Sequence, residues 1–200
     1  MTTTQAMQPM VLHQLPELRM SDQQFYQFCQ DNPTWRIERN AAGEILVLLP
    51  TGGETGEQNF DLAGQIGIWA KWDGRGKGFD SSTGFRLPNG AVRSPDVAWV
   101  LKSRWEALSP ADRQGFPGLC PDFVLELRSP TDLLSTLQDK MQEYLENGAQ
   151  LGWLIDSIEG PVWVYRPGQA TTVLQTPPNL AGDPVLAGFV LDLQDFWMES

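Results

Sequence analysis

The stretch that most constrains this chain runs from Cys120 to Asp156, CPDFVLELRSPTDLLSTLQDKMQEYLENGAQLGWLID. Phe123-Val-Leu-Glu-Leu is short, apolar and partly β-branched. It follows Pro121-Asp122 and ends at Ser129-Pro130, a pattern that predicts a buried strand. Leu137, Met141, Tyr144 and Leu145 recur at helical spacing, with Lys140 at the edge of that face and Gly148 suited to the helix C-terminus. Leu151-Gly-Trp-Leu-Ile-Asp then reads as the next strand. A carboxylate inside a core strand costs several kcal/mol unless it is compensated, so Glu126 requires a partner. Strand, helix and strand thus bring an acid and a base near one end, which makes this unit a candidate active site.

The remaining segments read as a frame around that unit. Residues 1–20 are expected to be an extended arm, with a single domain over 21–200. Ser21 is placed as the N-cap of a short helix carrying Phe25, Phe28 and Cys29 on one face. Trp35–Arg39 and Glu44–Leu49 flank Asn40-Ala-Ala-Gly43 as a β-hairpin. A helix is expected over about 56–72, its inner face formed by Phe60, Ala63, Ile66, Gly67 and Ala70, widened by Leu62 and Trp69. Gly74-Arg-Gly-Lys-Gly78 lacks the Gly-Lys-Ser/Thr ending of a phosphate loop. Phe79–Leu87 and Ala91–Leu101 read as two strands around a Pro88-Asn-Gly90 turn, with Asp96, Ala98 and Val100 on one face of the second. Strand signals recur through 162–175, and the whole predicts a mixed β-sheet flanked by helices, of α/β or α+β type.

Composition excludes several chemistries. His13 is the sole histidine, so histidine metal sites, Ser-His-Asp triads and Cys-His dyads are set aside. Cys29 and Cys120 form no CxxC motif and suit free thiols in a reducing cytoplasm. No apolar run approaches the length of a membrane span, and the N-terminus lacks the basic and apolar blocks of a secretory signal. With 14 Lys and Arg against 25 Asp and Glu, the net charge of −11 lacks the broad basic footprint common in nucleic-acid binders.

Two carboxylates at strand ends with a nearby lysine are the minimum set for phosphodiester hydrolysis assisted by Mg²⁺ or Mn²⁺. Asp96 and Glu126 supply the acids, the carbonyl of Leu127 a third oxygen, and Lys140 the cation that orients water or shares developing charge. Structural roles compete with each assignment. Glu126 could pair with Arg128, Asp96 could serve as a turn acceptor, and Lys140 could extend to solvent at the helix rim. Asp96 and Glu126 are also the type of pair a glycosidase uses across a cleft.

The ordered set Ser94-Pro-Asp-Val-Ala-Trp, Pro121-Asp-Phe-Val-Leu-Glu-Leu-Arg-Ser-Pro, Lys140-Met-Gln-Glu-Tyr, Asn147-Gly-Ala and Gly152-Trp-Leu-Ile-Asp resembles the large bacterial Uma-type family of restriction-endonuclease-like, PD-(D/E)XK, proteins. The resemblance spans roughly residues 35–195. It implies a mixed β-sheet core flanked by helices and metal-dependent cleavage of nucleic acid, DNA above RNA, with a homodimer the expected form for cutting both strands. It places the Pro-Asp aspartate on Asp96 and the second acid on Glu126. The superfamily lysine two positions later is replaced by Arg128, which cannot act as a base; the resemblance moves that role to Lys140 on the following helix. A further acid from the first core helix would be Glu54 or Glu57. A catalytically silent interaction module on the same scaffold is the alternative that Arg128 and the acidic charge suggest.

Overall fold

The computed structural model describes residues 10–13 and 19–197. In chain order the elements are β1 (Met10–Leu12), α1 (Asp22–Asp31), β2 (Arg36–Arg39), β3 (Ile45–Leu48), α2 (Gly53–Asp73) and β4 (Gly76–Asp80). They continue as β5 (Phe85–Arg86), β6 (Val92–Arg93), β7 (Val97–Leu101), α3 (Lys102–Glu106) and α4 (Pro110–Gln114). The last are β8 (Phe123–Arg128), α5 (Leu134–Glu146), β9 (Leu151–Asp156), β10 (Pro161–Tyr165), β11 (Thr172–Gln175), β12 (Asn179–Ala181) and β13 (Val190–Asp192).

A six-stranded sheet in the order β11-β10-β9-β8-β7-β4 is the centre of the molecule. Only β8 and β9 run parallel in it, with Glu126 opposite Leu154 and Arg128 opposite Asp156. The intervening α5 makes the crossover that a parallel pair requires. Alternation along these strands serves two cores. Val97, Trp99, Phe123, Leu125 and Leu127 pack toward α2, and Ala98, Val100 and Val124 pack toward Met141 and Tyr144 of α5. Glu126 has the parity of the α5 side, so the helix that covers it also brings its partners.

A second, antiparallel sheet follows the order β1-β3-β2-β6-β5. Its β2-β3 hairpin is the one expected from the sequence, closed by Gly43 at a φ of 84° and by backbone hydrogen bonds from Asn40 N–H to the Glu44 carbonyl and from Gly43 N–H to the Asn40 carbonyl. Ser21 caps α1 in a reciprocal capping box with Gln24, and Phe25 is the buried anchor of that helix.

Three local expectations change. Part of the N-terminal arm, Met10–Leu12, is an edge strand on β3, because Met10 to Leu12 and Ile45 to Val47 can exchange a regular ladder; residues 1–9 and 14–18 of the arm lie outside the described residues. The strands expected over Phe79–Leu87 and Ala91–Leu101 are each two strands in different sheets, β4 and β5 for the first, β6 and β7 for the second. Ser94-Pro95-Asp96 joins β6 to β7, and Pro95 has no N–H to continue a ladder. Finally, α2 turns a different face inward: Thr55, Leu62, Ile66 and Ala70 are buried, whereas Phe60 and Gly67 are exposed. Glycines at 56, 64 and 67 carry no side-chain signal, so the sequence left the helix phase weakly fixed.

Candidate functional site

The chain passes from one sheet to the other at Ser94-Pro95-Asp96, and the candidate site occupies that seam. A cavity of 560 Å³ opens there, bounded by β2, the start of α2, the end of β8 and the first turns of α5. Asp96, Glu126, Leu127 and Lys140 all line it.

Glu126 comes from β8 and is buried. Its Oε1 lies 2.8 Å from Lys140 Nζ and accepts a 3.0 Å hydrogen bond from the Tyr144 hydroxyl. One helical turn separates Lys140 from Tyr144, so α5 delivers both donors to one carboxylate. Asp96, just before β7, is held at both oxygens: Arg36 donates to Oδ1 at 3.1 Å, and the Leu127 backbone N–H donates to Oδ2 at 2.9 Å. That second bond ties the aspartate to the residue after Glu126 and fixes the two acids relative to each other.

A third carboxylate, Glu38 of β2, shares the lysine. Lys140 Nζ donates to Glu38 Oε1 at 2.9 Å, while Arg93 and the Ser94 backbone N–H also donate to Glu38. Glu143 in turn accepts from Arg93 at 2.6 Å. One ammonium thus lies between two buried acids, only one of which has a second cation. Burial alone would raise Glu38, yet Lys140, Arg93 and the Ser94 N–H outweigh it and hold its pKa at about 2. Burial dominates at Glu126, and the neighbouring Asp96 and Glu38 charges add to it against Lys140, pushing its pKa up to about 7. Lys140 itself is raised: burial works against its charge, but Glu126 and Glu38 prevail.

The structure separates the expected site residues. Asp96, Glu126, Leu127 and Lys140 converge. Lys140 does not extend into solvent at the helix rim; the two carboxylates hold it within the seam. Arg128 does not pair with Glu126 and does not line the cavity; it binds Asp156, its cross-strand neighbour, at 2.6 Å. Glu54 and Glu57 do not line the cavity, and α2 contributes Thr55 and Asn59 there in their place. Asn59 Oδ1 and Arg36 Nε are buried without a hydrogen-bond partner among the described residues.

Sequence reasoning missed Glu38, Arg36 and Arg93. The one sign of Arg36 and Glu38 was the charge alternation in Trp35-Arg-Ile-Glu-Arg, where they share a strand face, and nothing in that stretch signals Arg93. An ordinary hairpin with a solvated face gives the same pattern, so tertiary contact alone distinguishes the two.

A family profile described as "Putative restriction endonuclease", Uma2, matches residues 22–194. The chain belongs to the Uma2 family. A crystal structure titled as a putative nuclease belonging to DUF820, from Anabaena variabilis, superposes on it with a TM-score of 0.67. The superposition covers 81% of this chain and 89% of that one at 24% identity, and it shows the shared fold. No curated protein matches. The mixed sheet with flanking helices expected for a Uma2 protein is therefore the observed architecture. No described helix is long and apolar enough to cross a membrane.

No ready-made cluster of three His, Cys, Asp or Glu ligands is present among the described residues. Mg²⁺ does not require one, because it keeps several waters and binds through one or two carboxylates. Asp96 and Glu126 with the Leu127 carbonyl fit that donor chemistry. Each Asp96 oxygen has one hydrogen bond and a lone pair to spare, and Glu126 Oε2 accepts no hydrogen bond among the described residues.

Proposed function

We propose that this Uma2 protein is a divalent-metal-dependent endonuclease that hydrolyses phosphodiester bonds of nucleic acid, DNA above RNA, in the cytoplasm. The observation that carries the reading is the convergence of Asp96 from the β6–β7 connection, Glu126 from β8 and Lys140 from α5 on one cavity at the sheet seam. Asp96 and Glu126 would hold Mg²⁺ or Mn²⁺, with the Leu127 carbonyl as a further oxygen. The bound cation supplies Lewis acidity toward a phosphoryl oxygen and lowers the pKa of a coordinated water.

The chain's own groups account for the rest. Lys140 has three N–H donors, and Glu38 and Glu126 take two of them. The third is free to contact a phosphate oxygen or an attacking water in the cavity. Glu38 is a positioning residue: Arg93 and Ser94 fix it, and it fixes the ammonium. Arg36, already on Asp96, and Asn59 offer further polar contacts on the wall. In a chain of net charge −11, a cation at the acids also offsets the repulsion a phosphate backbone would meet.

A second reading, a silent module on the same scaffold, is favoured by one observation: Glu38, Glu126 and Asp96 each already have a protein cation within the network. One experiment separates the two. Mn²⁺ titration by calorimetry, with cleavage of supercoiled plasmid and single-stranded oligonucleotides, is run on wild type, Asp96→Asn and Glu126→Gln. Binding and nicking by the wild type that both variants lose supports the nuclease. Absence of Mn²⁺ binding and of cleavage in the wild type selects the silent module.

A further inference from the structure

The outward face of α2 is not explained by any contact among the described residues. Its core stripe is Thr55, Leu62, Ile66 and Ala70. On the opposite side, at helical spacing, stand Glu57, Phe60, Gly64, Ile68 and Lys71. Phe60 is 81% exposed, Ile68 64% and the neighbouring Trp72 84%. Large apolar residues gathered on one outward face mark an interaction surface. The glycines give a second, independent observation. A glycine inside a helix is destabilising relative to alanine, yet Gly56, Gly64 and Gly67 face open space, with nothing among the described residues within 4 Å of where a Cβ would stand. Among the described residues these glycines relieve no clash.

We infer that α2 is a homodimer surface, paired antiparallel with α2 of a second copy about a two-fold axis level with Gly64. An antiparallel pair centred there sets each residue opposite the one equally far beyond the centre. Gly64 then meets Gly64 of the second copy, which lets the backbones approach closely. Phe60 lies level with Ile68 of the second copy, and Glu57 lies level with Lys71. The stripe therefore complements itself in size, in apolarity and in charge, as a closed two-fold interface requires. Acids in the first half of the helix (Glu54, Glu57, Asp61) and Lys71 in its last turn favour the antiparallel over the parallel arrangement, which would set like charges together. Thr55 and Asn59 line the cavity from the same helix, so the pairing places two cavities on one particle, with the Asn59 positions about 15 Å apart along the helix axis.

The test is sedimentation velocity on the full chain at concentrations up to about 100 µM, with circular dichroism to confirm the fold of each variant. Wild type is expected to sediment as a dimer. Ile68→Glu is expected to give monomers, and Gly64→Leu likewise, although losing a mid-helix glycine favours the isolated helix. Glu57→Lys and Lys71→Glu alone should each weaken the dimer at least tenfold, and the double exchange should restore it. A monomeric wild type overturns the inference. So does a dimer that Ile68→Glu leaves intact, or single charge reversals without effect.

Discussion

Lys140 Nζ lies 2.8 Å from Glu126 Oε1 and, through the same nitrogen, 2.9 Å from Glu38 Oε1. Glu126 and Lys140 come from β8 and from the helix that follows it, whereas Glu38 comes from the other sheet. The lysine is thus a tie between the two sheets as well as a member of the site, and the two roles can be separated by measurement.

Lys140→Met leaves two buried carboxylates with one fewer cation. Breaking a buried ion pair from one side costs about 3–5 kcal/mol, so the urea midpoint should fall sharply. Combining it with Glu126→Gln should recover part of the loss, because position 126 is then neutral and Glu38 keeps Arg93 as its cation. A double variant no more stable than Lys140→Met would count against the coupling.

Glu38 gives a pH signature. Its folded pKa is about 2 against an ordinary 4.5. Between those values the unfolded chain binds the extra proton, so this residue's contribution is present above about pH 4.5 and is lost as pH falls toward 2. Glu38→Gln should therefore be less stable than wild type near neutrality, with the gap closing through that acid range. Thermal unfolding at a series of pH values reads the gap; one that stays constant to pH 2 would contradict the assignment.

Arg128 is expected to matter for stability and not for chemistry. Asp156 is fully buried and Arg128 holds it at 2.6 Å. Arg128→Ala leaves that carboxylate with only the backbone N–H groups of Ile158 and Glu159, at a cost of about 3 kcal/mol, while cleavage per folded molecule should stay within about twofold. Arg128→Lys should recover part of the stability and add no activity, since the side chain points to Asp156 and not to the cavity. A loss of cleavage in a fully folded Arg128→Lys protein would return this residue to the site.

Two glycines test close packing. A Cβ at Gly76 would stand 2.1 Å from the indole of buried Trp99, a rigid group, whereas one at Gly152 would meet the mobile terminal methyl of Met141 at 2.4 Å. Gly76→Ala should cost about 1–3 kcal/mol, as overpacking does, and Gly152→Ala less. Melting temperatures of the two proteins rank them directly.

Much of the frame was legible because local rules agreed with the final packing. Ser21 and Gln24 signalled the start of α1, the Asn40–Glu44 turn set the first hairpin, and the apolar runs at 123–127 and 151–156 were strands for the reason their composition implies. The phase of α2 was not legible, because its glycines carry no hydrophobic information and three of its large apolar residues face outward. The split between β6 and β7 was signalled only by Pro95, which marks a break in a ladder without saying that the chain changes sheets there.

The site divides along the same line. The sequence by itself determined that Glu126 would be a buried strand carboxylate needing a cation, that Asp96 would stand at a strand start, and that Lys140 would lie on the following helix, because periodicity and turn chemistry act over a few residues. Only the tertiary structure decided that Lys140, and not Arg128, is the partner of Glu126, and that Glu38 shares it. That choice depends on β2 bringing Glu38 against Lys140 of α5 and on Asp156 lying directly across from Arg128. Both are long-range pairings of buried charge, one reaching between the two sheets and the other joining neighbouring strands of one sheet, and no local pattern encodes them.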